Sequence, residues 1–408
     1  VGADSPSPPE AGGRALIYLD HHATTPVDPR VLEAMAPYWS EDFGNAASRT
    51  HRYGWRAEAA VELARERLAA AIGASDPREI VFTSGATESD NLALQGVLRA
   101  HEGAGDGLVT ATTEHAAVLD TARALERRGA RLAVLPVDAE GCVDPSAVAQ
   151  AIDARTLLVS VGAANGEIGT LQPLAEIGRV CAERDVLFHS DAAQAVGKIP
   201  LDVEALGIDL LSFSAHKLYG PKGVGALYVR RRRRSGSRVR VEPLVFGGGH
   251  ERGLRSGTLP VPLIVGFAAA VELCLAEREA EAARLGALRD RLEARLAEAL
   301  PGVERNGPAA ERRLPANLNV SFEGVAADAL IAQLEDLALS TGSACSSARP
   351  EPSHVLAALG LPKERIRGAV RVGLGRGTSE ADVERAAERI VTEVRRLRAS
   401  GAVAAQRR

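Results

Sequence analysis

Lys217 lies in the run Ser212-Phe213-Ser214-Ala215-His216-Lys217-Leu218-Tyr219-Gly220-Pro221-Lys222-Gly223, directly after the apolar stretch that begins Asp209-Leu210-Leu211. An amine delivered to the end of a buried strand can be desolvated, lose its proton and attack a carbonyl. Ser214 and His216 beside it can donate hydrogen bonds to a phosphate. An amine next to phosphate donors is what an enzyme needs to hold pyridoxal phosphate as a Schiff base. Taken alone, the segment is equally a solvated lysine in a Gly-Pro loop.

Other strand ends carry matching chemistry. Ile80–Thr83 runs into Ser84-Gly85-Ala86-Thr87-Glu88-Ser89, where the glycine permits a tight turn and Thr87 opens a helix. Free backbone N–H groups and the helix dipole favour an anion there, although an ordinary capped helix reads the same way. Thr110–Thr113 runs into Glu114-His115. A histidine just past a strand end can lie over an aromatic cofactor and exchange protons, or simply hydrogen-bond its loop. Val186–His189 leads to Ser190-Asp191-Ala192-Ala193-Gln194. An Asp at the end of an apolar strand needs a cationic partner to stay ionised, and a protonated pyridine nitrogen would serve. That pairing keeps the ring electron-deficient, and Gln194 is placed to bond the ring hydroxyl. The alternative is an Asp that caps the next helix. Phosphate turn, stacking His, Asp with Gln, and Ser-x-His-Lys in one order at successive strand ends favour a pyridoxal-phosphate site over coincidence.

One more element stands apart, Ser340-Thr341-Gly342-Ser343-Ala344-Cys345-Ser346-Ser347-Ala348-Arg349-Pro350. Most free cysteines are buried and act as small apolar groups. The small polar neighbours of Cys345, without hydrophobic periodicity, instead predict a thiol on a mobile loop. Cys142 reads as a turn cysteine, and Cys181 and Cys274 fall in helical patterns. Structural roles are expected for these three. No CxxC pair occurs, which argues against a disulfide framework or a zinc site.

The elements that must position these residues are legible from periodicity. Strands are predicted at Ile80–Thr83, Leu108–Thr112, Leu132–Val137, Leu157–Val161, Val186–His189, Leu210–Phe213 and Ala226–Val229. Helices are predicted between most of them, at Glu88–Arg99, Ala116–Arg127 and Leu174–Arg184. Alternating strands and helices imply an α/β fold with a mainly parallel sheet between helices, whose ligands bind beyond the carboxyl ends of the strands. After about residue 262 the pattern changes. Leu285, Leu288, Leu292, Leu296 and Leu300 predict a long helix, Asn317–Phe322 a strand, and Val383, Ala387, Ile390, Val394 and Leu397 a last helix. The expected division is a disordered Pro/Gly/Ser-rich tail at residues 1–14, a large cofactor-binding domain at 28–261, and a small α+β domain from 15–27 and 262–408 carrying the Cys345 loop.

The chain has 408 residues, 46% apolar and 25% charged, with a formal net charge of −4. That composition suits a globular enzyme and argues against general nucleic-acid binding. No apolar run approaches the roughly 18–20 residues of a membrane span. A cytoplasmic protein with reduced thiols is expected. Arg230–Arg234 reads as a solvated basic loop, with a docking patch for an acidic partner as the sharper alternative.

These residues, taken together, resemble the cysteine desulfurases of the class-V aminotransferase group, the type that supplies sulfur for iron–sulfur clusters and tRNA thiolation. The resemblance runs from about Ile17 to Arg376. It includes Tyr18–Pro26, Phe43-Gly44-Asn45, Ser84–Asn91, Asp191–Gln194, Ser212–Gly223, Gly247–Glu251, Arg255–Thr258 and Gly342–Ser346. It implies a fold-type I pyridoxal-phosphate-dependent transferase that converts L-cysteine to L-alanine and holds the sulfur as a persulfide on Cys345 for an acceptor protein. It further implies that Lys217 forms the Schiff base and moves protons, and that His115 stacks on the ring and takes part in acid–base steps. Asp191 would pair with the ring nitrogen and Gln194 with the ring hydroxyl. Ala86, Thr87, Ser214 and His216 would hold the phosphate, and Arg371 the substrate carboxylate. Thr258 would reach the partner subunit's phosphate in a homodimer. A selenocysteine lyase or another class-V aminotransferase is the nearest alternative; a sulfur-transfer scaffold without catalysis is another. The chain departs from the family pattern at Asn165-Gly166-Glu167, where the second position is usually Asn and contacts the cofactor; Asn165 is then the expected contact. The C-terminal tail does not resemble the segment by which housekeeping members dock a scaffold, so a specialised acceptor protein is expected.

Overall fold

The computed structural model describes residues 16–233, 235–342 and 352–406. The N-terminal tail and Cys345 lie outside the described residues. After the short strand β1 (Ile17–Tyr18) come β2 (Ile80–Thr83), β3 (Gly107–Ala111), β4 (Arg131–Leu135), β5 (Thr156–Ser160), β6 (Leu187–Asp191), β7 (Leu210–Ser214) and β8 (Gly225–Val229). The strands β2 to β8 form one seven-stranded sheet in the order β2-β8-β7-β6-β5-β3-β4. Its pairs are parallel except those of β8, which runs antiparallel to both β2 and β7. The strands β2, β3, β7 and β8 are buried along their whole length, because helices cover both faces. The edge strand β4 is the most open.

The strand β6 extends two residues beyond the predicted end at His189. Ser190 pairs with Leu211 and Asp191 with Ser212, so the backbone ladder continues through small polar side chains. This extension sets Asp191 at the very tip of the sheet. The helix Arg52–Ala71 was not expected. Its buried face is made largely of alanines that pack on the helix Val261–Ala299, and so few large apolar residues give a weak periodic signal.

A smaller antiparallel sheet contains β9 (Val303–Arg305), β10 (Asn317–Phe322) and β12 (Ala369–Gly373), in the order β12-β10-β9, while β11 (Leu337–Ala338) pairs with β1. The helix Val261–Ala299 serves two cores. Ile264, Phe267 and Val271 join the core of the large sheet, and Leu288, Leu292 and Leu296 join that of the small one.

The basic run after β8 is only partly the expected solvated loop: Arg231 and Arg232 are exposed, but Arg230 and Arg233 are drawn inward. Arg230 is buried, donating to Glu204 and to the carbonyls of Val203 and Ile208, and Arg233 pairs with Asp185 and Asp209. Asp209 is itself buried at the start of β7 and needs cationic neighbours. The guanidiniums of Arg230 and Arg233 therefore fasten the start of β7 and are not spare for docking. Arg234 lies outside the described residues.

Candidate active site

The carboxyl ends of β2, β3, β5, β6 and β7 open on a cleft of about 550 Å³. Ala86, Thr87, His115, Asn165, Asp191, Gln194, Ser214, His216, Lys217 and Arg371 all line it. Thr258 is exposed and lies away from this cleft.

Lys217 ends a short 3₁₀ turn, Ala215–Lys217, that follows β7. Its Nζ donates to the carbonyls of His22 at 2.7 Å and Ala23 at 2.8 Å. The same N-terminal segment clasps the lysine loop, since the Thr25 hydroxyl donates to the His216 carbonyl at 3.0 Å and accepts from Tyr219 N at 2.7 Å. Tyr219 holds a left-handed backbone, φ 61°, and that second contact supports it. Burial, then the charges of Lys217 and Lys222, push the His216 imidazole down to about 4. At neutral pH His216 is therefore an uncharged ring.

The anion cradle begins at Gly85, whose φ of 155° suits glycine. A Cβ there has open space, whereas one on the facing Gly225 would meet Gly85 Cα at 2.7 Å, so the two backbones approach closely. Gly85 caps the helix Ala86–Ala100 without a side-chain hydrogen bond. The first-turn N–H groups, which have no intrahelical partner, are thus directed at the cleft. Glu88 does not spoil this cradle, because Arg255 pairs with it at 2.8 Å and Ser84 N donates to it at 2.7 Å.

Beneath the cleft, Asp191 Oδ1 accepts from Ala193 N at 2.9 Å. The His115 ring caps the helix Ala116–Glu126 by accepting from Ala117 N at 3.1 Å. Ligand atoms of His115, Asp191 and Asp90 lie within 4.8 Å of one another. Asp90 is fully buried, and burial together with Asp191 raises its carboxyl well above the usual range. Glu114 is pushed up to about 8, first by burial and then by Asp191. Both acids are thus biased toward the neutral form, with Asp191 beside them at the end of β6.

Arg371 projects from β12. It pairs with Asp20 at 2.8 Å and donates to the Gly166 carbonyl at 3.4 Å, while its buried Nε has no hydrogen-bond partner among the described residues. The side chain of Asn165 is committed to its own loop. It donates to the Thr113 carbonyl at 2.9 Å and accepts from Glu167 N at 2.8 Å and Ile168 N at 3.0 Å. The room expected for a second Asn is instead used by Gln194, since a Cβ on Gly166 would lie 2.8 Å from Gln194 Nε2.

Pyridoxal phosphate fits these residues. An uncapped helix start suits a phosphate, an amine is held at the strand end, and a carboxylate stands at the tip of β6. Sequence reasoning missed Asp90, Glu114, Glu167 and Lys198. Asp90 and Glu114 lie inside the quoted motif segments without a role assigned to them, and Lys198 follows Gln194 by four residues, so spacing carried a signal for them.

Glu167 supplies a pH test. It is buried beside Ser353 and Arg371, and burial raises its carboxyl from 4.5 to about 7. Between those values the unfolded chain has released the proton while the folded chain still holds it, so stability falls as pH rises through that window. Glu167→Gln is expected to remove this loss. Its unfolding midpoint in urea should gain on wild type between pH 5 and pH 8. Equal shifts at both pH values would show that Glu167 is not held protonated.

The class-V aminotransferase profile matches residues 17–386. "Cysteine desulfurase IscS" of Anaeromyxobacter dehalogenans (strain 2CP-C) is 54% identical over 382 residues, covering 94% of this chain and 93% of that protein. "Cysteine desulfurase" of Homo sapiens is 50% identical over 399 residues, covering 98% of this chain and 86% of the relative. Among solved structures, one titled "NIFS-LIKE PROTEIN" aligns with a TM-score of 0.85 at 38% identity, covering 92% of this chain and 98% of that one. Another, "SspA in complex with cysteine", aligns with a TM-score of 0.76 at 39% identity, covering 88% and 98%.

Proposed function

The chain belongs to the class-V aminotransferase family and is a pyridoxal-phosphate-dependent cysteine desulfurase, and on that premise we propose how its residues divide the work. The observation that carries the assignment is the convergence of Lys217, His115, Asp191, Gln194, Ser214, His216 and Arg371 on one cleft. When bound, the cofactor supplies an electron sink for the carbon skeleton of the amino acid. Lys217 would hold the cofactor through its amine and move protons at the substrate. The first-turn N–H groups of Ala86 and Thr87, with Ser214 and His216, would hold the phosphate. Asp191 would pair with the ring nitrogen, His115 would stack on the ring, and Arg371 would receive the substrate carboxylate through its planar fork.

Cys345 takes the sulfur. In balance, L-cysteine and the Cys345 thiol give L-alanine and a Cys345 persulfide. The carbon–sulfur bond of the substrate breaks, a sulfur–sulfur bond forms, and the proton inventory is unchanged. The buried thiols of Cys181 and Cys274 are held protonated, their pKa values raised by burial to about 12 and about 11, and burial also raises the half-buried Cys142 thiol, so none of the three is activated for sulfur chemistry.

A homodimer is part of this reading. Thr258 is exposed in a segment that also presents Phe246 at 72% exposure, and a second copy of the chain would cover both. The acceptor is a protein of an iron–sulfur, tRNA-thiolation or specialised sulfur pathway, and the three unpaired buried or half-buried thiols fit a cytoplasmic setting. No helix among the described residues is long and apolar enough to cross a membrane.

The test is Cys345→Ser. The variant is expected to bind the cofactor with the wild-type visible band and to form neither persulfide nor alanine beyond background. A Cys345→Ser protein that still accumulates persulfide would sink the assignment of the nucleophile.

A further inference from the structure

The amide of Gln194 is pinned from behind. Lys198 Nζ donates to Gln194 Oε1 over 2.7 Å, and His22 Nδ1 lies 3.2 Å from the same oxygen. Gln194 Nε2 donates to the His22 carbonyl over 2.9 Å, which leaves its second N–H for the cleft. A primary amide can present either its oxygen or its N–H pair to a ligand, and half a turn of the side chain exchanges them. A lysine ammonium only donates, so in its charged form Lys198 satisfies one of these orientations and penalises the other.

Gly166 completes the arrangement. A Cβ at this position would lie 2.8 Å from Gln194 Nε2 and 3.1 Å from its Cδ, so the pinned amide occupies space that any larger residue would contest. The departure at Gly166 and the Lys198 contact thus describe one feature of the site.

The geometry points to Lys198 as a positioning residue that fixes Gln194 with an N–H toward the ring oxygen of the cofactor, in the space Gly166 leaves open. It rests on the proposed placement of Gln194 at that oxygen. A fixed donor with the Lys198 amine behind it stabilises negative charge on the ring oxygen and lowers the pH at which the visible band of the loaded protein titrates. Glu277, Arg278, Glu281 and Arg376 line a second cavity together with Lys198. Lys217 and Arg371 act on Lys198 from the cleft side and Cys274 from behind, and burial first of all lowers the amine to about 7. His21, at about 4, and His22, held well below its ordinary range, are neutral neighbours.

The experiment is an absorbance titration of the cofactor-loaded protein, with cofactor affinity measured on the apoprotein. Lys198→Met is expected to move the band's titration upward by about one pH unit, a tenfold change in proton affinity, and to weaken cofactor binding several-fold. Lys198→Gln, which restores a neutral donor, should recover part of both. Gln194→Leu should shift the band at least as far, and adding Lys198→Met to it should bring little more. Wild-type titration and affinity in both Lys198 variants, with Gln194→Leu shifted, would overturn the positioning role and leave the placement of Gln194 standing. An unshifted Gln194→Leu would overturn that placement instead. Far-UV circular dichroism verifies folding, and Lys198→Gln keeps the test open if Lys198→Met does not fold.

Discussion

Lys217→Ala is expected to lose the visible band of the cofactor-loaded protein and to lower alanine formation from L-cysteine by about a thousandfold or more. One side chain is asked to hold the cofactor covalently and to carry protons, and general acid–base work alone is worth about 10²–10⁴ in rate. Alanine offers no nucleophile, so both contributions go together. The amine also donates to the carbonyls of His22 and Ala23, so the substitution loosens the N-terminal clasp as well. Lys217→Arg separates the two effects. Arginine supplies donors for those carbonyls yet stays protonated at any working pH, so it cannot become the nucleophile. Loss of the band in both variants, with near-native melting for Lys217→Arg, assigns the effect to the amine. A wild-type band in either variant would refute it.

Glu251→Ala is expected to lower folding stability by about 3–5 kcal/mol, the cost of stranding one member of a buried ion pair. Arg65 and Glu251 form a bidentate pair, both bonds 2.8 Å, with side-chain exposures of 2% and 1%. Glu251 Oε2 also accepts from Phe82 N at 2.8 Å, and Arg65 donates to the Ile80 carbonyl at 2.7 Å and lies over the Phe82 ring. This pair therefore connects the helix Arg52–Ala71, β2 and the segment that leads to Thr258. Urea denaturation checks the value, and a loss under about 1 kcal/mol would mean that water or a neighbour replaces the carboxylate. Activity at low temperature should survive better than stability, because neither residue lines the cleft.

Much of the site was legible because its residues fall where buried strands meet small polar clusters. Lys217, Asp191 and Ser214 were readable from the change of an apolar run into Ser, Asp or His, and those positions did converge on one cleft. The sheet was readable for a similar reason: strands buried on both faces are nearly continuous apolar runs. Its antiparallel β8 was not, because strand direction leaves no mark on an apolar pentapeptide. The end of β6 was misjudged since the ladder needs only backbone groups. Arg230 and Arg233 were misread because charge runs describe composition and say nothing of the buried Asp209 that draws them in. Lys198 escaped notice because its partner is a neutral amide, and pattern reasoning seeks opposite charges. Asn165, expected as a cofactor contact, does line the cleft, but its amide closes its own loop and Gly166 gives room to Gln194, and neither local bond is written in the sequence pattern.

The central claim is that Lys217 and Cys345 act together to move sulfur from L-cysteine to the protein. The most direct measurement is a single turnover of the cofactor-loaded wild-type protein with L-cysteine and no acceptor, quantifying alanine and mapping added sulfur by peptide mass spectrometry. The account predicts alanine equal to the sulfur gained, with that sulfur on the peptide containing Cys345 and absent from those of Cys142, Cys181 and Cys274. Sulfur on any of those three, or alanine formed with no sulfur retained at Cys345, would contradict it.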